Sequence, residues 1–179
     1  EPMVLFAAQQ AGPLEQVGQF ARATAGAELN VAIGLARLGL RAGYISRVGN
    51  DSFGRFIATA LEREGIDRAQ LGIDPEHPTG FMLKSRSEDG SDPQIEYFRR
   101  GSAASRLAST DALRAYAAAA RHLHLTGIYV AVSPSVRWSG APPTNNGFYS
   151  VQVLADDELV YVIEKARLTA LRRTDGSTA

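Results

Sequence analysis

Residues 42–65 constrain the fold more than any other stretch. "AGYISRVG" (42–49) reads as a short apolar strand, and it breaks into the polar turn "GNDSFG". Beyond the turn, Phe53, Phe56, Ile57, Ala60 and Leu61 recur at i, i+3, i+4, i+7 and i+8, and Gly65 closes the run. That period predicts an amphipathic helix, with Asp51 or Ser52 placed to cap it. A strand joined to such a helix by a tight turn must receive the helix's apolar face on its own sheet. The unit therefore predicts a layered α/β fold.

The flanking segments extend the pattern. "MVLFAA" (3–8) reads as a strand, and 14–24 as an extended or irregular return. A helix is expected from about Glu28 to Arg37 or Leu38, stopped by Gly39. Leu29, Ala32, Ile33, Ala36 and Leu40 share one of its faces, and the far side is scarcely more polar, which predicts wide burial. A polar stretch with Pro75 and Pro78 leads to a hairpin, "GFMLKSR" (80–86) and "QIEYFRR" (94–100) around "SEDGSDP". A third helix is expected over about 111–121, capped by Ser109 or Thr110, then a strand over 122–132. Residues 133–147 are rich in Pro, Gly, Ser and Asn and read as a loop or linker. The segment 148–164 predicts a second hairpin turning at 155–158, "KARLTALRR" a short helix, and "TDGSTA" a frayed end.

Composition narrows the partners. With 179 residues, 45% of them apolar, the chain can build one domain with a core. Lys plus Arg and Asp plus Glu are 19 each, a balance that argues against nucleic acid, whose phosphates require a basic face. The chain has no cysteine, so disulfide and thiolate chemistry are excluded. No apolar run reaches membrane-spanning length, and "EPMVLFAAQQ" lacks the basic start of a signal peptide. A cytoplasmic protein without a membrane partner is expected. The start at Glu1 in place of Met raises the expectation that residues belonging to the chain are missing.

Two segments could carry chemistry. Ala25-Gly26-Ala27 precedes a helix whose first N–H groups are free to meet a ligand, and Asn30 stands in its first turn. Asn30 either reaches that ligand or satisfies a neighbouring backbone group. In "EYFRRGSAAS" (96–105), strand alternation puts Tyr97 and Arg99 on one face and Phe98 on the other. Tyr beside Arg suits a small hydroxylated anion, with the guanidinium forked onto a carboxylate. A solvated hairpin with cross-strand pairs is the alternative. His122 and His124 lack the further ligands of a metal site, Ser133 and Ser135 read as loop residues, and Asp156 and Asp157 as a turn.

Taken together, "EPM", "AGAELNVAIGLARLG", "SRVGNDSFG", "PTGFMLKSR", "EYFRRGSAAS" and "HLHLTGI" resemble, in unbroken order over residues 1–135, the N-terminal half of the ribokinase-like (PfkB) sugar kinases. The likeness is nearest to the 2-keto-3-deoxygluconate kinases, and Asn30, Ala32, Gly39 and Gly49 stand as in the family's first signature. The resemblance implies a doubly wound α/β sheet, partial here, with a small β-lid drawn from 3–24 and 80–100. It implies a sugar acid held between lid and sheet: Gly26 and Asn30 at its hydroxyls, Tyr97 and Arg99 at its ketoacid end with Phe98 between them. Met82 stands where close relatives often have Tyr, and Ala25 replaces a usual Gly. Lid strands pairing in a homodimer are implied as well. So are ATP and Mg2+, with transfer of the γ-phosphoryl group to a sugar hydroxyl activated by an Asp. The family's "Asp-Thr-x-Gly-Ala-Gly-Asp" run, which serves that step, does not occur in this sequence. The chain is therefore expected to be a truncated, or truncated and rejoined, kinase without its ATP-binding half and without activity alone. Residues 136–179 match nothing in the family.

Overall fold

The computed structural model describes residues 1–126 and the strand segments 152–155, 159–164 and 167–172. The expected linker (133–147), the expected strand beyond Thr126 and the expected frayed end lie outside the described residues. The chain divides into two compact units, Glu1–Arg106 and Leu107–Ala179.

The first unit runs β1 (Met3–Ala11), a 3-10 turn (Leu14–Gln16), β2 (Phe20–Ala25), α1 (Ala27–Arg37), β3 (Ser46–Gly49), α2 (Ser52–Arg63), β4 (Leu71–Asp74), β5 (Phe81–Arg86), β6 (Ile95–Phe98) and a 3-10 turn (Ala103–Arg106). One sheet has the order β2-β1-β5-β6. Its central pair, β1 and β5, is parallel, with Val4 opposite Phe81 and Leu5 opposite Met82. β2 and β6 flank that pair antiparallel. β3 and β4 form a separate parallel pair.

The strand–turn–helix unit folds as its period requires. The Asp51 carboxylate caps α2 by accepting the Gly54 N–H at 2.7 Å. Ile57 and Leu61 are fully buried against Val4, Leu29 and Val48. Gly65 ends the helix with φ 67°, a conformation that disfavours any side chain. The strand expected over 42–49 is shorter: only Ser46–Gly49 pairs as a strand, preceded by a single bridge from Gly43 to Asp67.

α1 departs from its expected wide burial. Leu29 and Ala32 are its buried residues. Leu35 is 37%, Leu38 79% and Leu40 58% exposed. Helical phase is lost at Leu38 and Gly39 (φ 81°), so Leu40 leaves the face on which a continued helix would have placed it. β4 is missing from the sequence reading altogether. In Leu-Gly-Ile-Asp only the Asp is fully buried, so the strand carries no apolar alternation.

The second unit contains α3 (Asp111–Ala118), whose Thr110 hydroxyl accepts the Leu113 N–H at 3.2 Å. It also holds an antiparallel sheet in the order β10-β9-β8-β7, from β7 (Leu125–Thr126), β8 (Gln152–Ala155), β9 (Leu159–Glu164) and β10 (Arg167–Arg172). β8 and β9 pair antiparallel within the segment expected as a hairpin. The expected short helix in "KARLTALRR" is corrected: Arg167–Arg172 is strand β10, paired from Arg167 opposite Glu164 to Arg172 opposite Leu159. Ladder pairing to β9 satisfies the backbone groups a helix would have satisfied internally, so partner geometry overrides local propensity. Among the described residues no helix is long and apolar enough to cross a membrane.

Candidate functional site

The sheet β2-β1-β5-β6 separates two chemistries by the pleat alone. Val4, Phe6, Phe81 and Phe98 share the face turned to α1 and α2. There Phe81 meets Phe6 edge-on at 6.2 Å and Phe53 at 5.7 Å, and Phe98 stacks flat on Phe81 at 4.6 Å. The opposite face carries Met3, Leu5, Met82 and Tyr97, with Met82 directly across from Tyr97.

Arg99 lies one residue beyond the end of β6 and folds back to the Tyr97 side. Its guanidinium carbon sits 5.7 Å from the centroid of the Tyr97 ring. Its Nε lies 2.9 Å from Oε2 of Glu1, an ion pair whose angle falls short of a hydrogen bond. Nη2 is buried without a hydrogen-bond partner. The Arg99 side chain is 16% exposed, and that of Glu1 1%. Oε1 of Glu1 accepts the Ser102 hydroxyl at 2.5 Å.

Glycines make this close approach feasible. A Cβ on Gly80 would lie 2.7 Å from Oε1 of Glu1 and 3.3 Å from Cβ of Arg99. Gly26 has φ 138°, and a Cβ there would strike the carbonyl oxygen of Glu1. Gly26 is also the N-cap of α1, and its carbonyl accepts the Asn30 N–H at 2.8 Å.

A second set of contacts holds the loop that leads into β5. Oδ2 of Asp51 accepts the Thr79 N–H at 2.8 Å, and the Thr79 hydroxyl accepts the Gly49 N–H at 2.8 Å. Burial pushes the Asp51 carboxyl up, but donation from the backbone of Thr79 and Gly54 outweighs it and leaves the group below its ordinary value. Asp74 is held at about 2, first by the Glu76 N–H, against burial, and then by His77 and the Arg47 charge. Arg47 stands 3.0 Å from its Oδ2.

The structure thus brings Met82, Tyr97 and Arg99 to one face and puts Gly26 against the Glu1 backbone. It places Phe98 on the other face, in the aromatic stack. Asn30 is exposed in the first turn of α1, and among the described residues its side chain makes no hydrogen bond. Backbone satisfaction therefore gives no account of that side chain here. The sequence reading missed Glu1, Gly80 and Ser102; a buried carboxylate has no periodic signature, and the available hint was the Gly and Ser content of "PTG" and "GSAAS". A groove of about 570 Å³ lies elsewhere, between β2, α1 and α2, lined by residues including Arg22, Arg37, Arg55, Phe56 and Arg63. None of the expected site residues lines it. Among the described residues no cluster of three or more His, Asp or Glu could hold a metal ion.

The pfkB family carbohydrate kinase model matches residues 3–139. The chain belongs to the pfkB family of carbohydrate kinases. Within the pfkB family it is 46% identical over 138 residues to the 2-dehydro-3-deoxygluconokinase of Bacillus subtilis (strain 168), covering 76% of this chain and 42% of that one. It is 35% identical over 136 residues to the enzyme of the same name from Thermoproteus tenax, covering 75% of this chain and 42% of that one. The crystal structure of a PfkB protein from Polaromonas sp. JS666 superimposes with a TM-score of 0.72 and 48% identity, over 75% of this chain and 45% of that one. A fructokinase from Halothermothrix orenii gives 0.57 at 28% identity, over 64% and 40%. These neighbours show the ribokinase-like α/β fold, of which the chain covers a part. The chain spans 42% of the length of the two curated relatives.

Proposed function

We propose that this chain carries the sugar-acid-binding part of a kinase that phosphorylates 2-keto-3-deoxygluconate (2-dehydro-3-deoxygluconate) with Mg-ATP. The observation that carries the reading is the Tyr97–Arg99 pair on the outer face of the lid sheet. A guanidinium has five N–H donors. Glu1 engages the Nε end, and Nη2 has no hydrogen-bond partner. Once Nη2, buried in this structure, is uncovered by binding, the fork can meet the ketoacid carboxylate while the Tyr97 hydroxyl meets an adjacent oxygen. Met82 supplies an apolar wall where a second hydroxyl contact is expected in near relatives. Asn30, exposed at the start of α1, reaches for sugar hydroxyls alongside the Gly26 backbone. Phe98 contributes by stacking the strand onto the core, not by touching the sugar.

Phosphoryl transfer needs an Asp base and donors aimed at the developing charge. The Gly-Ala-Gly-Asp run that supplies them in the family does not occur in these 179 residues. On this reading the chain alone binds the sugar acid in the cytoplasm and transfers nothing. Calorimetry should show heat with 2-keto-3-deoxygluconate for the wild type and a loss of affinity of about tenfold or more for Arg99→Ala. Absence of heat in both would end the binding reading. Normal turnover in an ATP-coupled assay would end the claim of inactivity. β2 and β6, the outer strands of the lid sheet, support pairing between two copies, and a clean monomer by sedimentation at high concentration would refute it.

A further inference from the structure

We infer that Glu1 is a positioning residue: its carboxylate holds the Arg99 guanidinium in the orientation in which that group meets an anion. The inference deepens the sugar-acid reading above and rests on it for the identity of the anion.

Three separate segments meet at this carboxylate. Glu1 itself precedes β1, Gly80 precedes β5, and Arg99 and Ser102 follow β6. A carboxylate whose side chain is 1% exposed is retained only with partners for both oxygens. Here Oε1 takes the Ser102 hydroxyl at 2.5 Å and Oε2 faces Arg99 Nε at 2.9 Å. The missing side chain at Gly80 leaves room for this carboxylate, since a Cβ would lie 2.7 Å from Oε1.

The consequence for Arg99 follows from planarity. A guanidinium is a rigid plane, so fixing its Nε edge fixes the direction of its Nη fork. The guanidinium also lies beside the Tyr97 ring, 5.7 Å from centroid to guanidinium carbon, which limits its swing on that side. Glu1 uses one edge and leaves the fork. A residue serving only to neutralise Arg99 would serve equally well across the fork, where it would block an incoming carboxylate. The guanidinium is thus held before an anion arrives, so binding need not order a long side chain and has only to uncover Nη2, which is buried in this structure.

The test compares the full chain with Glu1→Gln, which keeps the shape and removes the charge. In ¹⁵N-labelled protein the Arg99 Nε–H resonance, identified by its loss in Arg99→Lys, is expected to exchange slowly with solvent. In Glu1→Gln it is expected to exchange about tenfold faster or more, because Nε is buried and loss of the ion pair frees the guanidinium to move toward solvent. Affinity for 2-keto-3-deoxygluconate should fall about tenfold, while affinity for the analogue whose carboxylate is reduced to an alcohol changes less than about twofold. A purely structural role would weaken both ligands alike. Unchanged Nε–H exchange in Glu1→Gln, or equal loss for acid and alcohol, overturns the inference. Should Glu1→Gln fail to fold, Ser102→Ala removes only the brace. It should then show the same selective loss at about threefold, and no selective loss would overturn the inference. If the wild type binds no sugar acid, the functional reading fails by itself, and the Nε–H exchange still decides whether Glu1 holds Arg99.

Discussion

The two faces of the sheet β2-β1-β5-β6 are built from the same strands and carry different chemistry. On one, Phe6, Phe81 and Phe98 stack with Phe53 of α2 and bind the sheet to the core. On the other, Glu1, Gly80, Tyr97 and Arg99 assemble a charged constellation beside the buried Met3 and Met82. Adjacent residues therefore face different surroundings: Phe98 stacks on Phe81, while Tyr97 and Arg99 lie together on the opposite side.

Phe81→Ala should give the largest effect and the sharpest division. It removes three aromatic contacts and should lower unfolding stability by about 3 kcal/mol in a urea titration. At temperatures where the protein stays folded, sugar-acid affinity should change little. A loss of affinity that exceeds the loss of folded protein would show that the faces are coupled.

Acid should strike both faces together, because both hang on the loop that feeds β5. The Asp74 carboxyl, held at about 2 against an ordinary 3.8, accepts N–H bonds from Glu76 and His77 in that loop. Its folded value is depressed, so its contribution is complete above pH 4 and is lost as the pH falls toward 2. The loss reaches about 2 kcal/mol. Denaturation midpoints between pH 5 and pH 2 should fall less in Asp74→Asn than in the wild type; parallel curves would discount this carboxylate.

The smallest expected effect belongs to Tyr97→Phe. Tyr97 is 43% exposed, so stability should stay within about 0.5 kcal/mol of the wild type. Affinity for the sugar acid should still fall about three- to tenfold through the lost hydroxyl contact. A stability loss without an affinity loss would reverse the roles assigned to the two faces.

Local pattern accounts for a definite part of this. The period of Phe53 to Leu61 and the Asp51 cap specify α2. Gly39 and Gly65 mark two helix ends, and alternation puts Tyr97 and Phe98 on opposite faces of β6. All of these are near-neighbour properties that a few residues settle among themselves. The sequence reading erred where a distant partner decides. Arg167–Arg172 is a strand because β9 pairs with it, and β4 is a strand because β3 does. α1 packs by one stripe, Leu29, Ala32, Ile33 and Ala36, while Leu35 and Leu38 on its other side stay exposed.

The site divides along the same line. The sequence by itself determined the family and the starts and stops of α1 and α2. Only the tertiary structure decided that Glu1, Gly80, Arg99 and Ser102 occupy one place, because the parallel pairing of β1 with β5 joins segments more than seventy positions apart. A buried carboxylate gains its meaning from partners brought to it by the fold, and no local period encodes who those partners are.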